Sequence, residues 1–210
     1  RCYQTLTKTA KTLVNGTYYD QPVTVWQCYD LRTGEVYWEQ TGVTNTPTLI
    51  EYASPTQAEV PGAEAAGTWA VSLMYLSTSR LMKFNPWTGA VTANISFSNS
   101  PALSSVLFYQ QSNKRGGDPM VLSIQDMGAA AGTQRYRLIN WTTRGTSTNF
   151  TSRIISNTTY ARSSLPTLID FESELAATVA GITQAGVFMG MNLTGYRLWT
   201  GETIWSKNIS

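Results

Sequence analysis

The chain has 210 residues, of which only 13% are charged, and its formal net charge is +2. This balance argues against the basic stripe of a nucleic-acid-binding protein, and no apolar run approaches the roughly 20 residues that span a membrane. Serine and threonine together number 49, alongside 16 glycines, 11 tyrosines and 7 tryptophans. This mixture favours strands and turns over helices, so we expect an all-β protein.

In chain order, the strands predicted in the first part of the chain cover 2–6, 11–19, 23–30 and 35–39. Between the last two strands, the sequence Arg32-Thr33-Gly34 predicts a tight turn, because glycine adopts positive φ without a Cβ clash. The aromatic and β-branched residues on either side of this turn suit a pleated, half-buried surface. The first elements therefore end in a β-hairpin.

The pattern of short strands and turns continues through the rest of the chain. The later predicted strands cover 48–52, 69–76, 80–84 and 91–97, then 103–109, 120–125, 136–140 and 146–151, then 167–171, 177–182, 187–198 and 202–209. A linker rich in Pro, Ala, Glu and Gly at 54–67 and a polar loop at 110–118 separate some of them. We expect four repeats of four strands, with approximate bounds 1–42, 43–97, 98–150 and 151–210.

A turn glycine marks each repeat. Gly34, Gly89, Gly145 and Gly201 are separated by 55, 56 and 56 residues, and a Pro-x-Leu marker keeps loose step with them at positions 47, 101 and 166. A period of this length with several strands per unit is typical of the blades of a β-propeller. Four blades make either a small ring or part of a larger one, and we favour a portion of a larger propeller or assembly.

The first repeat carries the most complete motif. The sequence Cys28-x-Asp30-x-x-Thr33-Gly34-x-x-x-Trp38 resembles the tryptophan-docking motif of quinoprotein-type (PQQ-like) β-propellers, with cysteine where that family usually has alanine. The resemblance implies a propeller fold. We expect Asp30 to accept hydrogen bonds from the amides of the turn.

The other repeats keep less of this motif. Gly201 and Trp205 retain its second half in the last repeat, whereas Ala93 and Asn149 occupy the tryptophan position in the middle repeats. Asn85 stands where Asp30 does. The motif covers a small part of the chain, although the period covers nearly all of it.

Both cysteines fall in the first repeat. In an oxidising compartment, Cys2 and Cys28 would form a disulfide that ties the N-terminal strand to the hairpin. The alternative is two unrelated buried thiols. We predict the disulfide, because the asparagine pattern places the protein outside the cell.

Seven of the 11 asparagines begin an N-x-Ser/Thr sequon, against roughly two or three by chance. They are Asn15, Asn94, Asn140, Asn149, Asn157, Asn192 and Asn208. The surplus predicts an N-glycosylated protein that is secreted or displayed on a cell surface. The alternative is a Thr- and Asn-rich β protein whose sequons are not used. Because position 1 is arginine, we expect a processed product or a piece of a longer chain.

The sequence offers little catalytic chemistry. It contains no histidine, which removes the commonest general base and the usual ligands of zinc. The acidic run Asp170-x-Glu172-x-Glu174 could hold Ca²⁺ through oxygen ligands, but a solvated strand end is the favoured interpretation. Dehydrogenases of the resembling family bind pyrroloquinoline quinone and Ca²⁺, typically beside a vicinal cysteine pair that this chain lacks. We therefore predict no catalytic, cofactor-binding or metal-binding residues.

Three tryptophans close to the turn glycines are candidate platforms for sugars or for a partner chain. Trp87, Trp141 and Trp199 each precede a marker glycine by two to four positions. Packing between repeats is the favoured interpretation of this row.

The leading hypothesis is a non-enzymatic extracellular glycoprotein, a structural or adhesive component of a cell surface, a surface layer or a self-assembling fibre. Its partners would be further copies or other extracellular proteins, joined through strand edges at the two termini. The alternatives are a secreted quinoprotein-type dehydrogenase that uses quinone and Ca²⁺, or a glycan-binding propeller.

Overall fold

The computed structural model describes residues 1–53, 70–110, 119–130 and 132–209. The predicted linker at 54–67 and the polar loop from 111 to 118 lie outside these ranges. The described strands are β1 (Cys2–Val14), β2 (Thr17–Tyr29), β3 (Val36–Thr41), β4 (Leu49–Ala53), β5 (Ala70–Leu76), β6 (Arg80–Phe84), β7 (Val91–Ser96), β8 (Leu103–Gln110), β9 (Pro119–Ala130), β10 (Thr133–Thr142), β11 (Ile154–Tyr160), β12 (Leu168–Asp170), β13 (Leu175–Gln184), β14 (Val187–Arg197) and β15 (Thr203–Ile209).

These strands form four antiparallel sheets that follow one another along the chain. The first sheet is β1–β2–β3, the second is β4 to β7, the third is β8 to β11 and the fourth is β12 to β15. Within every sheet, strands that are neighbours in sequence are neighbours in space, so each sheet is an antiparallel meander. The all-β prediction is confirmed. No helix in the described ranges is both long and apolar enough to cross a membrane.

The first sheet has three strands, so the prediction of four strands in the first repeat is wrong. The predicted strand at 11–19 contains the turn that joins β1 to β2. Asn15 and Gly16 both adopt positive φ, 49° and 82°, between the paired residues Val14 and Thr17. Two consecutive residues with positive φ form the tight hairpin turn that Asn-Gly favours. One long hairpin of two strands therefore replaces the three predicted strands at 2–6, 11–19 and 23–30.

The third sheet ends later than predicted. Its fourth strand is β11, which ends at Tyr160, whereas the sequence predicted a strand at 146–151 and a repeat boundary at 150. After Gly145 the chain enters a loop and a 3-10 helix, Phe150–Arg153, before the strand begins. This insertion moves the last strand of the third repeat along the sequence.

The chain divides into two compact units, one built on the first two sheets and the other on the last two. In the first unit, the core is formed by Trp26, Leu73 and Phe84, and the rings of Trp26 and Phe84 meet edge to face at 5.2 Å. The second unit has a larger core, formed by Leu122, Ile124, Leu138, Tyr160, Ala176, Tyr196 and Leu198. Burying each large side chain contributes roughly 1.5–3 kcal/mol, so these two cores hold their paired sheets together.

Each sheet has a register shift at the same place, next to an aromatic residue. The shifts follow Cys28, Lys83, Asn140 and Gly195, and the next residues are Tyr29, Phe84, Trp141 and Tyr196. The last three aromatic side chains are at most 1% exposed. A β-bulge bends its strand and redirects the side chains beside it. A bulge therefore precedes the turn glycine in every repeat.

Candidate docking site

The turn of the first sheet is closed by Asp30. Its carboxylate oxygen Oδ1 accepts hydrogen bonds from the amides of Arg32 and Thr33 at 2.7 and 3.1 Å. The backbone of Asp30 pairs with Gly34 and Glu35, at 2.9 and 2.8 Å. The amide of Arg32, that of Thr33 and the Tyr37 hydroxyl hold the pKa of Asp30 below its usual value. The side chain is therefore an ionised cap for an exposed turn.

The second and fourth sheets repeat this turn with different side chains. In the second, Asn85 Oδ1 accepts from the amides of Trp87 and Thr88, and the Gly89 amide donates to the Asn85 carbonyl at 2.8 Å. In the fourth, the Gly201 amide donates to the Arg197 carbonyl at 2.9 Å. The backbone geometry is thus shared even where the capping carboxylate is not.

Trp38 packs directly on the turn glycine of the next sheet. A Cβ atom on Gly89 would lie 2.8 Å from the Trp38 ring and 2.8 Å from Nε2 of Gln40, and φ of Gly89 is 73°. No real Cβ tolerates such a contact, so only glycine fits there. Trp38 also meets the Trp26 ring edge to face at 4.7 Å. This arrangement is a docking contact between the first and second sheets.

The corresponding contact in the second unit uses a tyrosine. A Cβ on Gly201 would lie 3.0 Å from the ring of Tyr160, and the Ala161 amide donates to the Thr200 carbonyl at 2.9 Å. Burial raises the pKa of the Tyr160 hydroxyl. The Arg162 guanidinium lies 3.9 Å from the centre of the Tyr196 ring and donates to the Gly201 carbonyl. The sequence did not single out Tyr160, although it is an aromatic residue at the end of a β-rich run.

The strand register identifies which residues of the middle repeats are equivalent to Trp38. Cys28 faces Trp38 across β2 and β3, one residue before the bulge, and Lys83 faces Ala93 at the equivalent place in the second sheet. In the third sheet the residue before the bulge, Asn140, faces Ser156. The prediction that Asn149 occupies this position is therefore wrong, because the inserted helix displaces the strand.

The turn around Gly145 is built differently from the other three. The buried guanidinium of Arg153 donates to the carbonyls of Ser147, Arg144 and Gly145 at 2.9, 2.8 and 3.0 Å. Arg153 is 2% exposed. It holds a longer loop from inside, and the sequence pattern did not identify it.

Trp205 is equivalent to Trp38 but remains open to solvent. It faces Gly195 across β14 and β15, one residue before the bulge, and a Cβ on Gly195 would overlap its ring. Trp205 is 48% exposed and lies beside a groove of about 260 Å³. The apolar residues that line the groove include Leu168, Leu175 and Ile204. Trp205 and these side chains form an open, largely apolar surface on the fourth sheet.

Cys2 and Cys28 do not form the predicted disulfide; both thiols are free. Tyr3 faces Cys28 across β1 and β2, and Cys2 faces Tyr29. Successive side chains point to opposite faces of a strand, so this register directs the two thiols to opposite sides of the sheet. Burial, with Cys28 nearby, raises the pKa of the Tyr3 hydroxyl to about 12.

Six of the seven sequon asparagines are exposed. They are Asn15 in the first hairpin turn, Asn94 on β7, Asn149 before the 3-10 helix, Asn157 on β11, Asn192 on β14 and Asn208 on β15. Asn140 is the exception, since it is only 8% exposed and its Oδ1 accepts from the Tyr109 hydroxyl. A glycan on Asn140 is incompatible with this packing, so that predicted site is wrong.

The candidate tryptophan row is not formed. Trp141 is fully buried and donates through Nε1 to the Ser123 hydroxyl at 2.9 Å, and Trp199 packs against the core of the second unit. Trp87 is 61% exposed and lies under the Arg1 guanidinium, 4.4 Å from the ring centre. The three side chains therefore have three different environments.

The acidic run after β12 forms a turn. Asp170 Oδ1 accepts from the amides of Glu172 and Ser173, and hydrogen bonds led by the Ser173 side chain lower the pKa of Asp170. Among the residues that the structure describes, no cluster of three or more acidic, cysteine or histidine side chains could hold a metal ion.

No protein-family model matches the chain, and no curated protein is significantly similar to it.

Proposed function

We propose that this chain is a non-enzymatic, N-glycosylated extracellular protein that serves as a structural component of a cell surface, a surface layer or a self-assembling fibre. The observation that carries the proposal is the exposure of six of the seven sequon asparagines. Glycosylation requires surface asparagines in a secreted protein. The fold presents these side chains at turns, edges and open faces.

A propeller of the PQQ-like type is the arrangement we propose for the four sheets. Three features support it: the meander order of each sheet, the bulge at the same position in each, and the docking of Trp38 on Gly89. Because blades bury their faces against neighbouring blades, such repeats are stable only when stacked.

The sheet edges support the self-association part of the proposal. β1 and β15 are both edge strands, and the first sheet has one strand fewer than the other three. An edge strand presents unpaired amides and carbonyls that can pair with another chain. The alternatives are a quinoprotein-type dehydrogenase, which rests on the resemblance alone, and a glycan-binding propeller, for which Trp87, Trp141 and Trp199 are the candidate platforms.

The test combines glycopeptide mass spectrometry with electron microscopy of the native material. We expect glycans on exposed sequons and none on Asn140, together with filaments or a lattice whose repeat matches one chain. Removing residues 203–210 should abolish assembly and leave glycan occupancy at the remaining sequons unchanged. Unoccupied sequons together with discrete, single-chain particles would refute the structural function.

A further inference from the structure

The docking contact between two sheets has two halves, and the residues of the acceptor half are buried where the contact is made. One half is the aromatic side chain, such as Trp38. The other, the acceptor half, consists of the turn glycine and the residue that lies two positions after the aromatic residue at the bulge. In the second and fourth sheets, where docking occurs, Gly89 and Gly201 are buried, and so are Pro86 and Leu198.

The turn of the first sheet is an acceptor half without its aromatic partner. Leu31 stands where Pro86 and Leu198 stand, yet it is 73% exposed, whereas Leu198 is fully buried. Gly34 has φ of 74°, like Gly89, but a Cβ there would meet no described atom within 4 Å. Val36 and Tyr37, which follow the turn, are also about 40% exposed, at 42% and 41%.

The last strand of the fourth sheet carries the other half of such a contact, the aromatic side chain. Trp205 occupies the same position relative to the bulge of its sheet as Trp38 does in the first sheet. Its cross-strand partner is Gly195, whereas that of Trp38 is Cys28. The groove beside it spans all four strands of the sheet, and its apolar side chains Leu168 and Ile204 are 59% and 51% exposed. The first unit therefore carries an exposed acceptor half, and the second unit carries an exposed aromatic half.

We propose that Trp205 of one molecule docks on the Gly34 turn of a second copy of this chain, so that copies join head to tail. The contact would repeat between molecules what Trp38 and Gly89 make within one. This inference rests on the proposed structural function and names the surface through which copies associate. Because the two halves differ, the interface is heterologous, and it generates either an open filament or a closed ring.

The two sequons of the fourth sheet leave the surface around Trp205 clear. Side chains alternate along β15, so Trp205, Lys207 and Ile209 share one face, while Ser206 and Asn208 share the other. Asn192 faces Asn208 across β14 and β15. Glycans on these two asparagines would project from the face opposite to Trp205 and would not block docking.

The experiment measures the molar mass of the full chain by sedimentation over a range of concentrations, with two complementary variants. Trp205→Ala removes the aromatic half, and Gly34→Ala places a Cβ where the ring must lie. Each variant should weaken association by at least about 30-fold, as expected for the centre of an interface. An equimolar mixture of the two retains one productive contact and should form a species of twice the monomer mass.

The controls match each change. Gly145→Ala introduces the same methyl group at the same positive φ in a turn outside the proposed contact, and Phe188→Ala removes another exposed aromatic side chain of the fourth sheet. Both should associate as the wild type does. Leu31→Ser is a second acceptor variant; since Leu31 is 73% exposed, its loss should weaken association without affecting the fold.

Three results would overturn the inference. If Trp205→Ala associates as the wild type does, the inference is refuted. The proposed structural function still holds in that case if native material forms filaments. A mixture that stays monomeric would mean that the two variants act on different contacts. A wild-type chain that remains monomeric, with a melting temperature lowered by Trp205→Ala, would assign the tryptophan to a contact within one chain.

Discussion

The turn of the first sheet and the loop of the third occupy the same place in their repeats but are closed by different chemistry. The first is capped from outside, by the exposed carboxylate of Asp30 acting on amides two and three residues away. The third is held from inside, by the buried guanidinium of Arg153 acting on carbonyls six to nine residues back. An acceptor side chain suits a turn with free amides, whereas a longer loop presents free carbonyls and needs a donor.

The largest expected effect is at Arg153. Replacing it by Met keeps the apolar stem but leaves several loop carbonyls without their charged donor, and each such loss costs about 1–3 kcal/mol. We expect the free energy of unfolding to fall by about 3–5 kcal/mol in urea denaturation. Arg135→Met, at an exposed position on the same sheet, should change it by less than about 0.5 kcal/mol. Equal effects at both positions would contradict the internal role of Arg153.

The turn glycines give a matched series with intermediate effects. Gly34→Ala and Gly145→Ala add a Cβ at φ of 74° and 78° with open space around it, so only backbone strain of about 1 kcal/mol is expected. Gly89→Ala adds the same strain and a clash with Trp38, and should cost about 2–4 kcal/mol. Thermal unfolding of the three variants measures the difference. A Gly89 variant no less stable than the Gly34 variant would argue against the docking contact.

The smallest effect is a dependence on pH that the first turn should show and the loop of the third sheet should not. The pKa of Asp30 is lower in the folded protein than in the unfolded chain, so its stabilisation is present above the unfolded pKa. That stabilisation is lost as pH falls toward the folded pKa. The side-chain amide in the variant Asp30→Asn still accepts hydrogen bonds but does not titrate. The wild type should therefore exceed the variant in melting temperature at neutral pH and lose that advantage in acid.

Arg153 provides the contrast for this acid titration. A guanidinium stays charged at every pH in the experiment, so the loss of stability in Arg153→Met should be the same at neutral and acidic pH. A parallel acid dependence in both variants would show that the two turns are not capped independently.

The sequence predicted features that depend on local chemistry. The spacing of Gly34, Gly89 and Gly201 located real turns with positive φ, and the predicted strand at 80–84 coincides with β6. The turn at Asn15 and Gly16 was also within reach, because Asn-Gly between apolar strands is a strong hairpin signal. It was interpreted only as a sequon.

Features that depend on tertiary contacts could not be read in the same way. The role of Arg153 arises from where the inserted loop folds back, and the burial of Asn140 arises from a neighbouring strand. The register that separates Cys2 from Cys28 was not visible either, since a shift of one residue reverses the face of every side chain. An aromatic residue four or five positions before each turn glycine was the one overlooked local signal of the bulge.

The long hairpin of β1 and β2 has a further consequence for how the molecule opens. β3 pairs with β2 only from Val25 to Tyr29, so the part of the hairpin around Asn15 is a ribbon of two strands. Its side chains are largely exposed, including Leu13 and Tyr18 at 57% and 68%. Two-stranded ribbons are marginally stable by themselves. Hydrogen bonds at the far end can therefore break and re-form as a separate cooperative unit, while the core sheets remain closed.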